Sequence, residues 1–134
     1  MKTNPHCITL TSKVILVASL AAAAAGCTTA QPPGEIVAWA EFTLAANVSE
    51  ATMLKAADLV HENFLRQQPG FVRWELLRGK DGQWVNLIHW MDQASADRAL
   101  ERVDKSPACS NYFKCMAGLD EAVPFYRRVK TYPR

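Results

Sequence analysis

The sequence predicts an α+β domain whose strands and helices follow the order β-α-β-β-α-β. Segments rich in β-branched and aromatic residues alternate with segments whose apolar residues recur every three or four positions. The two middle strands are separated only by Gly79-Lys80-Asp81-Gly82, a turn that pairs them as a hairpin. This order is that of the ferredoxin-like fold, a four-stranded antiparallel sheet with helices on one face.

The first half of the domain is predicted to contain a strand, a helix and a second strand. Residues Glu35 to Leu44 are rich in β-formers and predict the first strand. Asn47-Val48-Ser49-Glu50 predicts a helix start with Asn47 as N-cap and Glu50 at N3. One face of that helix carries Met53, Ala57, Val60 and Phe64. Gln68-Pro69-Gly70 ends the helix, and Phe71 to Arg78 is the second strand.

The second half is predicted to contain a strand, two helical segments and a last strand. Trp84 to Trp90 is the third strand, and Asp92 caps a helix after it. That helix buries Ala96, Ala99, Leu100 and Val103 on one face. Ser106-Pro107 opens a short helix as N-cap and N1. Its face carries Cys109, Tyr112, Phe113 and Met116. Ala122 to Tyr132 is the fourth strand.

Both faces of the third strand are largely apolar. Alternation places one set of side chains toward the helices, namely Trp84, Asn86, Ile88 and Trp90. The opposite set consists of Val85, Leu87 and His89. Because the helices cover only one face, we expect a second copy of the sheet to cover the other in a two-fold homodimer. His89 then lies at the interface, where a hydrogen-bonded histidine is a commoner role than a general base.

Residues 1–26 are predicted to be an export signal, and residues 27–34 a tether to a domain at 35–134. Lys2 and Lys13 precede an apolar run from Val14 to Ala25, which is shorter than the ~20 residues that span a bilayer as a helix. Gly26-Cys27 closes this run, and Gln31-Pro32-Pro33-Gly34 marks an abrupt change of composition.

Cys27 follows Ala-Ala-Gly, a sequence that resembles a bacterial lipobox, with Ala24 where Leu is usual. The pattern predicts lipidation of Cys27 and attachment at the periplasmic face of a bacterial membrane. Thr28 next to it, in place of Asp, favours the outer membrane. Simple cleavage near Thr28-Thr29-Ala30, giving a secreted or periplasmic protein, is the alternative.

Charge and cysteine usage exclude several classes of function. The formal net charge of +2 comes from Lys2 and Lys13, so the chain without its leader has equal numbers of basic and acidic residues. With no basic stripe, nucleic acid is not an expected partner. His61 and His89 are the only histidines after the leader, and no CxxC or HExxH motif is present. A metal site is therefore not expected.

Residues 35–132 resemble the antibiotic biosynthesis monooxygenase domain. The resemblance rests on Pro69-Gly70-Phe71, Glu75 to Arg78, Asp81-Gly82, Asn86 to Trp90, Ser106-Pro107 and Tyr112-Phe113. It implies a dimeric α+β barrel and an oxygenase that uses no cofactor, acting on an aromatic or quinol-like small molecule. The same family contains haem-degrading enzymes, whose Trp and His positions are occupied here by Val103 and Phe113, so haem degradation is disfavoured.

The resemblance also implies site residues between the sheet and the helices. The family's polyketide oxygenases place an Asn and, four residues later, a Trp on the third strand, which makes Asn86 and Trp90 the catalytic candidates. An Asn amide and an indole N–H can both hold a developing oxyanion. The Tyr expected six residues after the Trp is Ala96 here. The candidate substrate-binding residues are Trp84, Leu100 and Tyr112.

Two other classes of function stay open on the same scaffold. One is a non-catalytic lipoprotein that binds a small ligand, and the other is a structural envelope protein whose pocket is filled by its own side chains. An open cavity bordered by Asn86 and Trp90 supports an oxygenase or a binding protein, whereas a filled one supports the structural role.

Overall fold

One antiparallel sheet and the helices packed on it make up the part of the chain that the structure describes. The structure, a computed structural model, describes residues 34–120 and 122–134. The predicted export signal and the lipidation site at Cys27 lie outside these residues, as does the tether up to residue 33. Within the described ranges, no helix has the length and apolar character needed to cross a membrane.

The elements follow the predicted order. Strand β1 spans Ile36–Leu44, helix α1 Glu50–Asn63, strand β2 Phe71–Arg78 and strand β3 Gln83–Trp90. Helix α2 spans Gln93–Val103 and helix α3 Pro107–Phe113. Two short strands follow, β4 at Met116–Ala117 and β5 at Phe125–Arg127. A 3-10 turn, Leu65–Gln67, follows α1 before the Pro69-Gly70 stop.

The sheet has the ferredoxin-like α+β arrangement, with β1 and β3 at its centre. Strand β3 pairs with β2 on one side and with β1 on the other, all antiparallel. The free edge of β1 then pairs with β4 at Thr43 and Leu44, and with β5 from Ile36 to Ala38. The ferredoxin-like prediction is confirmed, with five strands in the described ranges where four were predicted.

The predicted fourth strand, 122–132, was wrong in its bounds. Gly118 adopts φ +70 and turns the chain away after β4. The chain returns to β1 at Pro124, whose carbonyl accepts a hydrogen bond from the Trp39 N–H at 3.0 Å. Only Phe125–Arg127 then forms a strand, followed by one more bond from the Arg128 N–H to the Glu35 carbonyl. Two short strands therefore share the edge that one long strand was predicted to fill.

Side-chain caps start each of the helices α1, α2 and α3. Ser49, and not the predicted Asn47, caps α1, since its hydroxyl accepts from the Thr52 N–H at 3.1 Å. Asn47 instead occupies the left-handed region at φ +65 in the preceding turn. The predicted caps Asp92 and Ser106 are confirmed by bonds from the backbone N–H three residues on. Because α3 ends at Phe113, Met116 lies in β4 and not on the face of α3.

A single apolar core joins the helices to one face of the sheet. Met53 of α1 is fully buried at its centre, and α2 contributes Ala96 and Ala99. Gly70 allows α2 to approach closely, because a Cβ there would lie 2.1 Å from the Ser95 hydroxyl oxygen. The core does not fill the space between sheet and helices completely, and most of the predicted catalytic and substrate-binding residues line the cavity that remains.

Candidate functional site

An apolar cavity of about 110 Å³ lies between the sheet and helices α1, α2 and α3. Asn86 from β3 supplies a carboxamide to its wall, in an environment of aromatic and aliphatic side chains. Leu100 and Phe113 border the cavity and are 47% and 41% exposed, so they form its rim. No carboxylate, lysine or histidine is found among the described residues that line it.

Asn86 is held by two hydrogen bonds to one atom. Its side-chain oxygen Oδ1 accepts from the indole Nε1–H of Trp74 at 3.1 Å and from the hydroxyl of Tyr112 at 2.8 Å. The two aromatic rings also contact each other edge to face, with centroids 5.4 Å apart. Strands β2 and β3 and helix α3 thus converge on this carboxamide.

The partners of Asn86 determine which of its two polar atoms remains available. An indole N–H only donates, so the atom facing Trp74 must be the carbonyl oxygen of the amide. The amide nitrogen Nδ2 is left without a hydrogen-bond partner among the described residues. Asn86 therefore offers a donor to the cavity, in an orientation that Trp74 fixes.

Tyr112 stays protonated in this environment. Burial raises the pKa of its phenol above the usual range, and the hydrogen bond to Asn86 offsets only part of that effect. Burial also raises the pKa of the Cys109 thiol, which borders the same cavity. Neither group supplies a base near neutral pH.

The cavity brings together four of the five predicted site residues, which are Asn86, Trp90, Leu100 and Tyr112. Trp90 is 4% exposed, packs edge to face on Phe71, and has no hydrogen-bond partner for its indole N–H in the described part of the chain. Trp84 does not border this cavity. It stacks on Phe42 with centroids 6.4 Å apart, under the guanidinium of Arg78.

The cavity has a tyrosine, but it comes from helix α3 and not from the position where the family's polyketide oxygenases carry one. That position is Ala96 here. Ala96 is 1% exposed and lines the wall without any polar group. The Tyr112 hydroxyl comes from a different element and reaches Asn86. Trp74 was not among the predicted residues. The hairpin register pairs Trp74 with Ile88, which lies two positions from Asn86 on the same face of β3. Because the predicted turn sets this register, it could have identified Trp74 as a neighbour of Asn86.

A group of charged side chains lies on the opposite face of the sheet, around His89. We call Glu35, Arg73, Glu75, His89 and Arg128 the outer-face cluster. His89 is 3% exposed, and its Nδ1 is hydrogen-bonded to the Glu35 carboxylate, which Arg73 and Arg128 also contact. Within the described ranges its Nε2 has no hydrogen-bond partner, and it lies 3.6 Å from a Glu75 oxygen. A hydrogen bond from Arg73 lowers the pKa of Glu75.

The position of the outer-face cluster confirms the predicted alternation of β3. His89 and Leu87 border a shallow concavity on the outer face with Trp39 and Tyr126, away from the apolar cavity. His89 therefore does not reach the site that contains Asn86. In residues 34–120 and 122–134, no group of three or more His, Cys, Asp or Glu side chains is placed to hold a metal ion.

Comparison with known proteins gives structural neighbours only. No protein-family model matches the chain, and no curated protein does. SnoaB from Streptomyces nogalater, a cofactor-independent oxygenase, is 24% identical over 75% of this chain and 99% of its own, with a TM-score of 0.61.

Two further neighbours are described as candidate monooxygenases. One from Shewanella loihica is 22% identical over 73% of this chain and 97% of its own, with a TM-score of 0.52. A candidate antibiotic biosynthesis monooxygenase from Nitrosomonas europaea is 15% identical over 72% and 92%, with a TM-score of 0.55. The resemblance found in the sequence is thereby confirmed at the level of architecture: the described domain has the fold of the antibiotic biosynthesis monooxygenase domain.

Proposed function

We propose that this chain is a cofactor-independent monooxygenase that acts on a quinol-like aromatic compound. The observation that carries the proposal is the Asn86 carboxamide, which borders an apolar cavity while Trp74 and Tyr112 hold its oxygen, so that its Nδ2 donor is left for a ligand. The fold shared with SnoaB, a cofactor-independent oxygenase, supports the same class of reaction.

The reaction needs no external reductant. A quinol and O₂ give a hydroxyquinone and one molecule of water, with one oxygen atom in each product, and the quinol supplies all four electrons. The quinol first loses a hydroxyl proton, and the resulting anion places electron density on a ring carbon. That carbon reacts with O₂, and cleavage of the O–O bond releases the second oxygen as water.

The protein's part in this scheme is to stabilise an oxyanion. A preorganised donor in a water-poor cavity is most effective where negative charge develops. Nδ2 of Asn86 is such a donor, because Trp74 and Tyr112 already hold the amide in place. The described lining provides no base, so the quinol loses its proton to solvent before the ring enters the cavity. The rate should therefore rise with pH as the substrate ionises.

Oxygen uptake by the purified chain, with a panel of quinols and anthrones, tests the proposal. Asn86→Asp keeps acceptor oxygens for Trp74 and Tyr112 but removes the donor, so uptake should fall by roughly 10²–10³-fold. Asn111→Asp makes the same chemical change on the exposed face of α3 and should retain uptake. With ¹⁸O₂, one labelled atom should enter the product. Stoichiometric hydrogen peroxide, or full uptake by a folded Asn86→Asp variant, would refute the proposal.

A ligand-binding protein without turnover is the second candidate function. Two observations favour a binding protein. The described cavity lining has no ionisable side chain with a pKa near neutrality, and Ala96 stands in place of the family's Tyr. A structural role is less well supported, because a cavity of about 110 Å³ remains beside Asn86 and Trp90. Tight binding without oxygen uptake would identify the binding protein.

We also propose that the protein is exported and anchored through a lipid on Cys27. The proposal is supported by the basic, apolar and small-residue segments that end at Gly26-Cys27. Radiolabelled palmitate should enter the wild-type protein and not Cys27→Ser. Label in Cys27→Ser, or a mature N-terminus beyond Thr28, would contradict the anchor.

A homodimer is proposed on the outer face of the sheet. Trp39 and Tyr126 are 37% and 55% exposed there and contact each other edge to face. Leu87 and the outer-face cluster lie beside them. A two-fold axis through this face would bury apolar surface and bring arginines of one copy near carboxylates of the other.

A further inference from the structure

Asn86 and Tyr112, which line the cavity, bring a donor and an acceptor side by side to its wall. Asn86 keeps the N–H groups of Nδ2 for a ligand, because its oxygen accepts from the indole N–H of Trp74. The Tyr112 hydroxyl donates its hydrogen bond to the Asn86 oxygen at 2.8 Å. Toward the cavity, its oxygen can therefore only accept a hydrogen bond. A hydroxyl group that accepts from Nδ2 and donates to Tyr112 would satisfy both.

The size of the cavity limits what carries that hydroxyl. Its volume is about 110 Å³. An engineered apolar cavity of roughly 150 Å³ holds benzene, and pockets for drug-sized ligands begin near 300 Å³. One aromatic ring therefore fits, with its far edge at the rim between Leu100 and Phe113. A fused ring would have to displace side chains that are packed in the core.

We infer that the cavity binds a one-ring phenol or quinol by a single hydroxyl, and that Trp74 positions the Asn86 amide to receive it. The inference rests on the proposed function for the site, and it narrows the substrate from aromatic compounds in general to one-ring compounds. Trp74 is a positioning residue, since it acts through Asn86.

Trp74 and Tyr112 differ in what they impose on the amide. A tyrosine hydroxyl can donate to an amide oxygen or accept from an amide nitrogen, so it tolerates either orientation of Asn86. The indole N–H of Trp74 tolerates only the oxygen. In Trp74→Phe the amide is free to rotate, and the donor no longer points steadily at the ligand. Trp74 should therefore determine the preference for a hydroxylated ring and have little effect on the affinity for an apolar ring.

Calorimetric titration of the purified chain with phenol, toluene, 2-naphthol and anthrone tests the inference. Phenol should bind at least tenfold more tightly than toluene, which has the same shape but no hydroxyl. 2-Naphthol and anthrone should bind at least tenfold more weakly than phenol. Equal affinity for phenol and toluene, or anthrone binding as tightly as phenol, would overturn the inference.

Two variants test the positioning role. Trp74→Phe should lower the preference for phenol over toluene at least fivefold while toluene affinity stays unchanged, which mere loosening of the fold would not produce. Trp39→Phe makes the same change on the outer face and should keep the preference. If Trp74→Phe does not fold, Asn86→Asp tests the donor that Trp74 is inferred to position, because it removes Nδ2 and keeps the acceptor for Trp74. An unchanged preference in the folded variant contradicts the role.

Oxygen uptake separates this inference from the proposed function. Selective binding of phenol and hydroquinone without oxygen uptake refutes the monooxygenase and leaves the ligand class standing. Oxygen uptake with anthrone at an affinity equal to that of hydroquinone refutes the one-ring limit and leaves the monooxygenase standing.

Discussion

Replacing Asn86 by Ala should destabilise the domain by removing the acceptor that two donors, the Tyr112 hydroxyl and the Trp74 indole N–H, share. Tyr112 is 3% exposed, so its hydroxyl would lose its partner in an apolar environment. Leaving such a donor unpaired costs about 1–3 kcal/mol. Trp74 is only partly buried, so its indole N–H adds a cost near the lower end of that range. The free energy of unfolding should therefore fall by roughly 2–4 kcal/mol.

Urea denaturation of a double-mutant cycle measures this cost and assigns it. Tyr112→Phe removes one of the two donors and should cost about 1 kcal/mol by itself. In the double variant Asn86→Ala/Tyr112→Phe no tyrosine donor is left unpaired. Its loss of unfolding free energy should therefore be about 1–2 kcal/mol smaller than the sum of the two single-variant losses. The m-value should stay constant across the cycle. Additive costs, within about 0.5 kcal/mol, would refute the hydrogen-bonded network around Asn86.

Three further predictions concern other parts of the domain. Gly70→Ala should lower the free energy of unfolding, measured with urea or heat, by more than about 2 kcal/mol, since φ is +84 and the new Cβ would clash with Ser95. A loss below about 1 kcal/mol would contradict that contact. At tens of micromolar, where we expect the wild-type chain to be a dimer, Leu87→Asp should give a monomer by light scattering, because it places a charge in the outer face. A wild-type monomer would refute the proposed dimer. Ultraviolet titrations of wild type and Tyr112→Phe should superimpose up to about pH 11, since burial keeps this phenol protonated while the fold persists. Above about pH 10, where tyrosines of the unfolded state ionise, wild-type stability should fall more steeply with pH than that of Tyr112→Phe, because the unfolded state releases the Tyr112 proton first. Parallel pH profiles would argue against burial.

The alternation of β3 and the hairpin before it could be predicted from sequence because both are local. The two-residue period assigned Asn86 and Trp90 to the cavity and His89 to the outer face, as the structure has them. The turn at Lys80-Asp81 fixed the pairing of β2 with β3. The caps Asp92 and Ser106 also depend only on bonds to residues three positions away.

The features that sequence reasoning missed depend on contacts between distant segments. Trp84 shares a face with Asn86, yet it lies beyond the end of the cavity, because Phe42 of β1 covers it there. The division of the last strand depends on how Gly118 and Pro124 meet the edge of β1, far back in the chain. Tyr112 reaches Asn86 only because α3 packs over the sheet, an arrangement that the helical period alone does not specify.

The contacts between Glu35 and Arg128 bring the two ends of the domain together. Their side chains form a salt bridge across 93 positions of sequence, and the Arg128 N–H bonds to the Glu35 carbonyl at 2.8 Å. A domain with adjoining ends tolerates circular permutation. A short Gly/Ser linker could join residue 134 to residue 34, with new termini at the exposed turn between Lys80 and Asp81. The cavity lies on the other face of the sheet from this salt bridge, so the permuted chain should still enclose it, and reporter domains could be attached at the turn without obstructing the rim.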